Sequence, residues 1–440
     1  MLLLPIVHWQ MGVLQLVPIW AIIWTLHAVE TLFAASTGST VTASTSDESS
    51  TPNSPVNALK LDWVQTIFHS LNLAGPIGLA FWISVHQGVL LTITLILVAA
   101  PMCIFYWDRS KVLPVCLSAV FLAILVGPLI WKHYQVSKNH DFRRDKSVVQ
   151  SLSAEVADYS LAYGRGVLNN DPERRPWYLG LGLTKTAIAI VALIMVLVRS
   201  SRWTVFLALL GTASVLLSMG ANLQLGGYCL WDTLSSWIPG VAQVRSVYRF
   251  AFIAQVAFVL LGVDLLNRML VRSESFKKTW LKSLGWLGCS ALILAFAIDP
   301  LPHKAKLAVT PPLNDEWTTE LNSLEAGPVL ILPIAFEGEV RDYERTAQWM
   351  NQLLESGKPL VNGYSGFFPA SFNRIAEELS VQGLTVEAEK QLLQIGVRYV
   401  VVQPYYNERA SEVWSRYRLR SDPKSSVRIY DLTQTKFEGE

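Results

Sequence analysis

Two arginines four residues apart, Arg245 and Arg249, stand at the edge of a long apolar run in WIPGVAQVRSVYRFAFIAQVAFVLLGVDLLNRM, Trp237 to Met269. A guanidinium stays charged and presents a planar fork of donors that matches phosphate or carboxylate. Three chemistries suit such a pair beside an apolar run. The arginines can snorkel toward water, with Trp237, Tyr248 and Phe250 as an aromatic belt. They can pair with a carboxylate such as Asp232. They can hold an anionic ligand, a phosphate group or the head of an anionic lipid. Residue types alone leave all three open.

Other groups with chemical potential are sparser. In VNGYSGFFPASF, residues 361–372, Tyr364, Phe367 and Phe368 lie among glycines and a proline. Aromatics on a tight loop stack on sugar rings, dip into headgroups, or plug a gap against a neighbouring domain. His27 and Glu30 are three apart in an apolar block, so they share a helix face. Ionisable groups inside spans are functional suspects, yet these two, like Lys185 and Asp264, sit near span ends, where solvation is the expected state. The four cysteines have neither disulfide nor zinc spacing and read as small buried hydrophobes. No metal set, phosphate loop or nucleophile motif is present, and no cofactor is expected.

These residues need elements to position them. Of 440 residues, 51% are hydrophobic and only 16% charged, with a mean hydropathy of +0.34. The net charge of +2 gives no reason to expect a nucleic-acid partner. The apolar residues gather in blocks of about 20, the length of a membrane span. Seven are expected, at about 12–35, 88–107, 112–131, 178–198, 203–220, 248–267 and 280–298. The segment 66–86, broken by Gly75-Pro76, reads equally as an eighth span or a re-entrant piece. Basic residues in the short loops, Arg109 and Lys111, Arg199 and Arg202, and Arg268, Arg272, Lys277 and Lys278, fall on one side. That side is expected to be cytoplasmic. The loops 132–177 and 221–247, and everything after 299, then lie outside.

The first segment, 1–35, reads as a retained span. Residues 36–57, rich in Ser and Thr, cannot bury a core and read as a disordered linker. A multi-span membrane domain follows over 58–298. Within it, SVVQSLSAEVADYSLAYG has Val148, Leu152, Val156 and Leu161 at helical spacing, with Ser151 or Ser153 as cap, and predicts an amphipathic surface helix. From 299 to 440 short apolar runs alternate with helical patterns, which predicts a small soluble α/β domain. Strands are expected at 327–334, 359–363, 397–404 and in SSVRIYDL. Helices are expected at 340–358, in SFNRIAEELS and TVEAEKQLLQIG, and in ERASEVWSRY.

The segment 217–266 resembles the late part of bacterial polytopic membrane proteins of the GT-C glycosyltransferase type. The matching residues are Gly220 and Asn222, Pro239 and Gly240, and Arg245 with Arg249 and Phe250. Val247 stands where that pattern often has proline. SLSAEVADYS is similar to the loop before this region. GPVLILPI, DYERTAQWM, KPLVNGYSGFFP and LLQIGVRYVVV look like the family's extracytoplasmic end domain, so the likeness covers about 140–405. It implies a multi-pass protein of the bacterial cell membrane, surrounded by membrane lipids, that handles a polyprenyl-phosphate-linked sugar at the outer face. Arg245 and Arg249 would meet the lipid phosphate. The family's catalytic carboxylates follow its first span; here that stretch holds only Asp47 and Glu48 in the Ser/Thr tract, and Asp62. The resemblance therefore implies the C-terminal part of such an enzyme: a truncated reading frame, one half of a split gene with a separate catalytic N-terminal polypeptide as partner, or a member that has lost catalysis. The alternative is a non-catalytic membrane assembly or transport protein.

Overall fold

The computed structural model describes residues 19–34, 55–105, 109–139, 146–160, 179–198, 201–238, 241–244, 246–298, 315–334, 340–363, 370–381, 385–404, 406, 416–421 and 426–435. The chain divides into two compact units, Met1–Ala305 and Lys306–Glu440. Arg245, Tyr364, Phe367, Phe368 and most of the Ser/Thr tract lie outside the described residues.

The first unit is helical: α1 (Trp20–Ala34), α2 (Pro55–Ile83), α3 (Val85–Phe105), α4 (Arg109–Asn139), α5 (Lys146–Ser151), α6 (Leu183–Val198), α7 (Arg202–Ser218), α8 (Leu230–Trp237), α9 (Ala251–Glu274) and α10 (Thr279–Ile298). A two-residue hairpin, β1 (Gln224–Leu225) with β2 (Tyr228–Cys229), joins α7 to α8. Among the described residues, three stretches are long and apolar enough to cross a membrane: Trp63–Ile83, Lys111–Asn139 and Val247–Glu274. Val85–Ala99, Leu183–Val198, Arg202–Ser218 and Thr279–Ala295 are shorter apolar helices. Many apolar side chains on these helices point outward, among them Ile124 at 67%, Leu197 at 87% and Leu287 at 67% exposure. Such faces are unfavourable in water and suit a hydrocarbon surround.

The segment 66–83 is one unbroken helix through Pro76. Its position is fixed by α4. Ser70 Oγ donates to the Pro114 carbonyl at 3.0 Å, and Ser118 Oγ donates back to the Ser70 carbonyl at 3.1 Å. The Trp82 indole donates to the Leu125 carbonyl at 3.1 Å. Hydrogen bonds between helices satisfy polar groups that lipid would leave bare. The chain breaks only at Ser84, where a Cβ on Gly88 would lie 2.3 Å from the Phe81 ring. Helix α2 also begins at Pro55, inside the segment expected to be linker, and α4 runs on to Asn139, well past the expected end of that span.

Helices α7 and α9 form the centre. Phe206, Leu207, Leu210 and Val256 are fully buried. The backbone of α7 comes close to α9 at Gly211, where a Cβ would meet the Phe258 ring at 2.6 Å. Ser201 and Thr204 make a reciprocal capping box that starts α7.

The second unit holds a four-stranded sheet, β3 (Val329–Leu332), β4 (Tyr399–Val402), β5 (Tyr417–Leu419) and β6 (Arg428–Thr435), in the order β3-β4-β6-β5. Strands β3 and β4 are parallel, with Val329 opposite Tyr399; β6 runs antiparallel to β4 and β5. Every residue of β3 and β4 is buried, so helices must cover both faces. They are α11 (Glu316–Ser323), α12 (Val340–Gln352), α13 (Ala370–Val381) and α14 (Val386–Gln394). Thr385 Oγ1 caps α14 by accepting from the Ala388 amide at 3.0 Å.

Two expectations change here. The strand expected at 359–363 is a single parallel bridge, Leu360 to Val329. The Asn362 side chain takes over the ladder, accepting from Ile331 N and donating to Ile331 O, both at 2.6 Å. Tyr417, expected at the end of a helix, opens strand β5 instead, where its ring is buried.

Candidate functional site

At one end of the first unit, a 3-10 turn, Val247–Phe250, leads into α9. Apolar side chains pin this turn. Val247 and Phe250 are fully buried, Tyr248 nearly so, and Phe250 meets Trp231 of α8 edge-on at 6.4 Å. Arg249 is left on the half-buried side. Its guanidinium carbon stands 5.8 Å from the Tyr248 ring centre. Its Nε is buried and, among the described residues, has no hydrogen-bond partner. A buried donor in that state carries a desolvation cost of about 1–3 kcal/mol. The positive end of the α9 dipole adds to the field at the same place.

The wall around it is a knot of backbone hydrogen bonds. Tyr248 N donates to Leu152 O at 3.1 Å, and Ala154 N donates to Ser218 O at 2.9 Å. Ser153 Oγ donates to Val149 O at 2.8 Å and accepts from Ala221 N at 3.2 Å. The Asn222 amide spans the carbonyls of Gln150, Ser153 and Ala154. The buried Asp158 carboxylate accepts from Glu155 N at 2.7 Å, and its carbonyl accepts from Leu179 N at 3.1 Å. The Tyr159 hydroxyl lies 2.6 Å from Ser218 Oγ, and burial pushes its pKa upward.

Over 147–160 this knot replaces the amphipathic helix expected to run to 164; Leu161 and the residues after it lie outside the described residues. Helix α5 ends at Ser151 and a 3-10 turn covers Val156–Ser160. The carbonyls that would continue the helix are taken by Asn222, and Ser153 is spent on Val149 and Ala221. Val156, expected on the apolar face, is 73% exposed.

Asp232 has Lys146 as its partner, at 2.6 Å, which raises the lysine pKa; Arg249 does not use it. Tyr248 and Phe250 face the core and belong to no belt. Among the described residues, Trp237, at 81%, and Tyr228, at 53%, are exposed aromatics at this end. Lys185, expected at a solvated end, is buried, whereas His27 and Glu30 form an exposed pair 3.7 Å apart. Asp264 lies at the opposite end of α9, paired with Arg268 at 2.7 Å. Of the free cysteines described, Cys229 and Cys289 are buried and Cys116 is exposed, against the expectation for that residue.

Sequence reading put Gly220, Asn222 and Arg249 in one region, and the fold packs Gly220 against Val247, two residues before Arg249. It missed Ser153, Asp158 and Tyr159 as members of the same end. Apart from the likeness of SLSAEVADYS to the family's loop before this region, their signal was a cluster of hydroxyl and carboxylate groups too dense for a helix interior. No family model matches this chain, and no curated protein matches it.

Proposed function

We propose that the chain is a multi-pass protein of the bacterial cell membrane that binds the phosphate of a polyprenyl-linked sugar at its outer face, as the C-terminal part of a GT-C-type glycosyltransferase. The observation that carries this reading is Arg249: a half-buried guanidinium whose buried Nε has no protein acceptor among the described residues, at the start of an apolar stretch of 28 residues, Val247–Glu274. An anionic oxygen at the accessible side of the guanidinium would meet its charge and the dipole at once. In sugar transfer the phosphate is the leaving group, so a fixed cation there stabilises charge as it develops.

The short basic loops support the orientation. Arg202 begins α7, Arg268 and Arg272 lie in the last turns of α9, and Lys277 and Lys278 follow it, all at the end away from Arg249. With α2 as a further span, the proposal has eight crossings, with 36–54 inside and the second unit outside.

Two measurements test it. In a chain freed of native cysteines, Glu355→Cys is expected to react with a membrane-impermeant maleimide in intact cells. Reaction only after permeabilisation would overturn the orientation. Purified protein in detergent is expected to bind a short-chain polyprenyl phosphate and not the parent alcohol. Equal binding of both would remove the phosphate site.

A further inference from the structure

The opposite end of α9 holds a second feature. Between α6, α7 and α9 lies a cavity of about 580 Å³, within the roughly 300–1,000 Å³ range of small-molecule sites. Most of the lining is apolar, with Ala192 and Val196 from α6 and Leu261 and Leu265 from α9. Its polar lining includes Asp264, Asn267, Arg268 and Arg272, toward the C-terminal end of α9. The nearby helix surface is apolar and outward-facing: Leu197 is 87%, Val198 76% and Val271 65% exposed.

Charge and grease together select the occupant. Asp264 takes the Nε of Arg268 at 2.7 Å, while Arg268 Nη2 reaches Ser201 Oγ at 3.3 Å. That pair cancels, and Arg272 leaves the polar lining with a net positive charge. Lys277 and Lys278 follow within one turn of the end of α9. An apolar slot beside an apolar helix surface takes a hydrocarbon chain, and a cationic group in its lining takes an anionic head. We infer that this cavity is a binding site for an anionic phospholipid of the surrounding leaflet, with one acyl chain between α6 and α9 and its phosphate at Arg272. The inference rests on α6, α7 and α9 lying in a membrane, and not on the reading of Arg249.

The test uses the full chain in nanodiscs of mixed phosphatidylglycerol and phosphatidylcholine, released and examined by native mass spectrometry. The expected result is retained phosphatidylglycerol, favoured at least about fivefold, which is the worth of one arginine near a lipid surface. Arg272→Gln, at an exposed position, is expected to bring the two lipids to near parity. Val196→Phe, which fills the slot, is expected to reduce retention of both. Equal retention of the two lipids by the unaltered protein would overturn the inference. So would unchanged selectivity in Arg272→Gln. Displacement of the lipid by soluble glycerol phosphate would show a free-phosphate site instead, and would overturn it as well.

Discussion

The side-chain amide of Asn222 lies 3.2 Å from the Ser153 carbonyl and 3.4 Å from each of the Gln150 and Ala154 carbonyls. One residue thus holds a segment 70 positions earlier in the chain in a non-helical path. Asn222→Ala removes the donor and leaves those acceptors bare, at a cost of about 2 kcal/mol. Hydrogen exchange is expected to show lost protection at Ala154 and Glu155, while the amides of α7 keep theirs. Unchanged exchange at Ala154 would mean that the Ser218 carbonyl alone holds this segment.

Gly220, two residues earlier, has φ +44°, and a Cβ there would stand 2.5 Å from Ser153 Oγ and 2.8 Å from Val247 Cγ1. Gly220→Ala therefore combines left-handed strain, about 1–2 kcal/mol, with overpacking of about 1–3 kcal/mol. The expected outcome is a clear fall in the apparent unfolding temperature in detergent. Gly226→Ala serves as the control, because its φ is also positive but its Cβ would meet nothing within 4 Å. A fall no larger at 220 than at 226 would mean that Ser153 and Val247 move aside freely.

What the sequence made legible follows from how each signal arises. Apolar blocks and strand-helix alternation report burial period, so α3, α4, α6, α7, α9, α10 and the β3–β4 pair were readable from them. The 66–86 segment was ambiguous because its span depends on partners far away: Ser118, Pro114 and Leu125 on α4. The strand expected at 359–363 failed for a similar reason, since Asn362 supplies by side chain what a strand supplies by backbone. At the candidate site, arginine identity and position were visible. The fate of Asp232 was not, because Lys146 is 86 residues away. Whether a guanidinium is paired is a property of the folded surroundings, and no local pattern carries it.

In the second unit Asp431 makes stability depend on acid pH. Burial raises its carboxyl pKa, but hydrogen bonds from Thr433 and Arg420 outweigh that and hold it below the ordinary value of 3.8. A depressed folded pKa gives stability that is complete above the unfolded value. That stability is lost as pH falls through the folded one. Protection of the β4–β6 amides, corrected for intrinsic exchange, is expected to hold from neutral pH to about 4 and to decline below it. Asp431→Ala is expected to cost about 3 kcal/mol at neutral pH, the low end for breaking a buried pair, because Arg420 keeps some access to water. Loss of protection already at pH 5–6 would point to a different titrating group.

Arg249 distinguishes a ligand clamp from a structural anchor by the sign of a stability change. An anchor that supports the fold loses stability when truncated. A half-buried guanidinium whose Nε lacks a partner is already destabilising in the unliganded protein. Arg249→Met, which keeps the apolar stem and removes the charge, is expected to leave the apparent unfolding temperature equal or higher. The same variant is expected to lower affinity for a short-chain polyprenyl phosphate by roughly 10- to 100-fold, the worth of a charge-assisted hydrogen bond at about 1.5–3 kcal/mol. Arg249→Lys keeps the charge but not the planar fork, so its affinity should fall between the two. A destabilised Arg249→Met with unaltered affinity would identify Arg249 as an anchor, and the anionic ligand would then have to be sought elsewhere at this end of the helices.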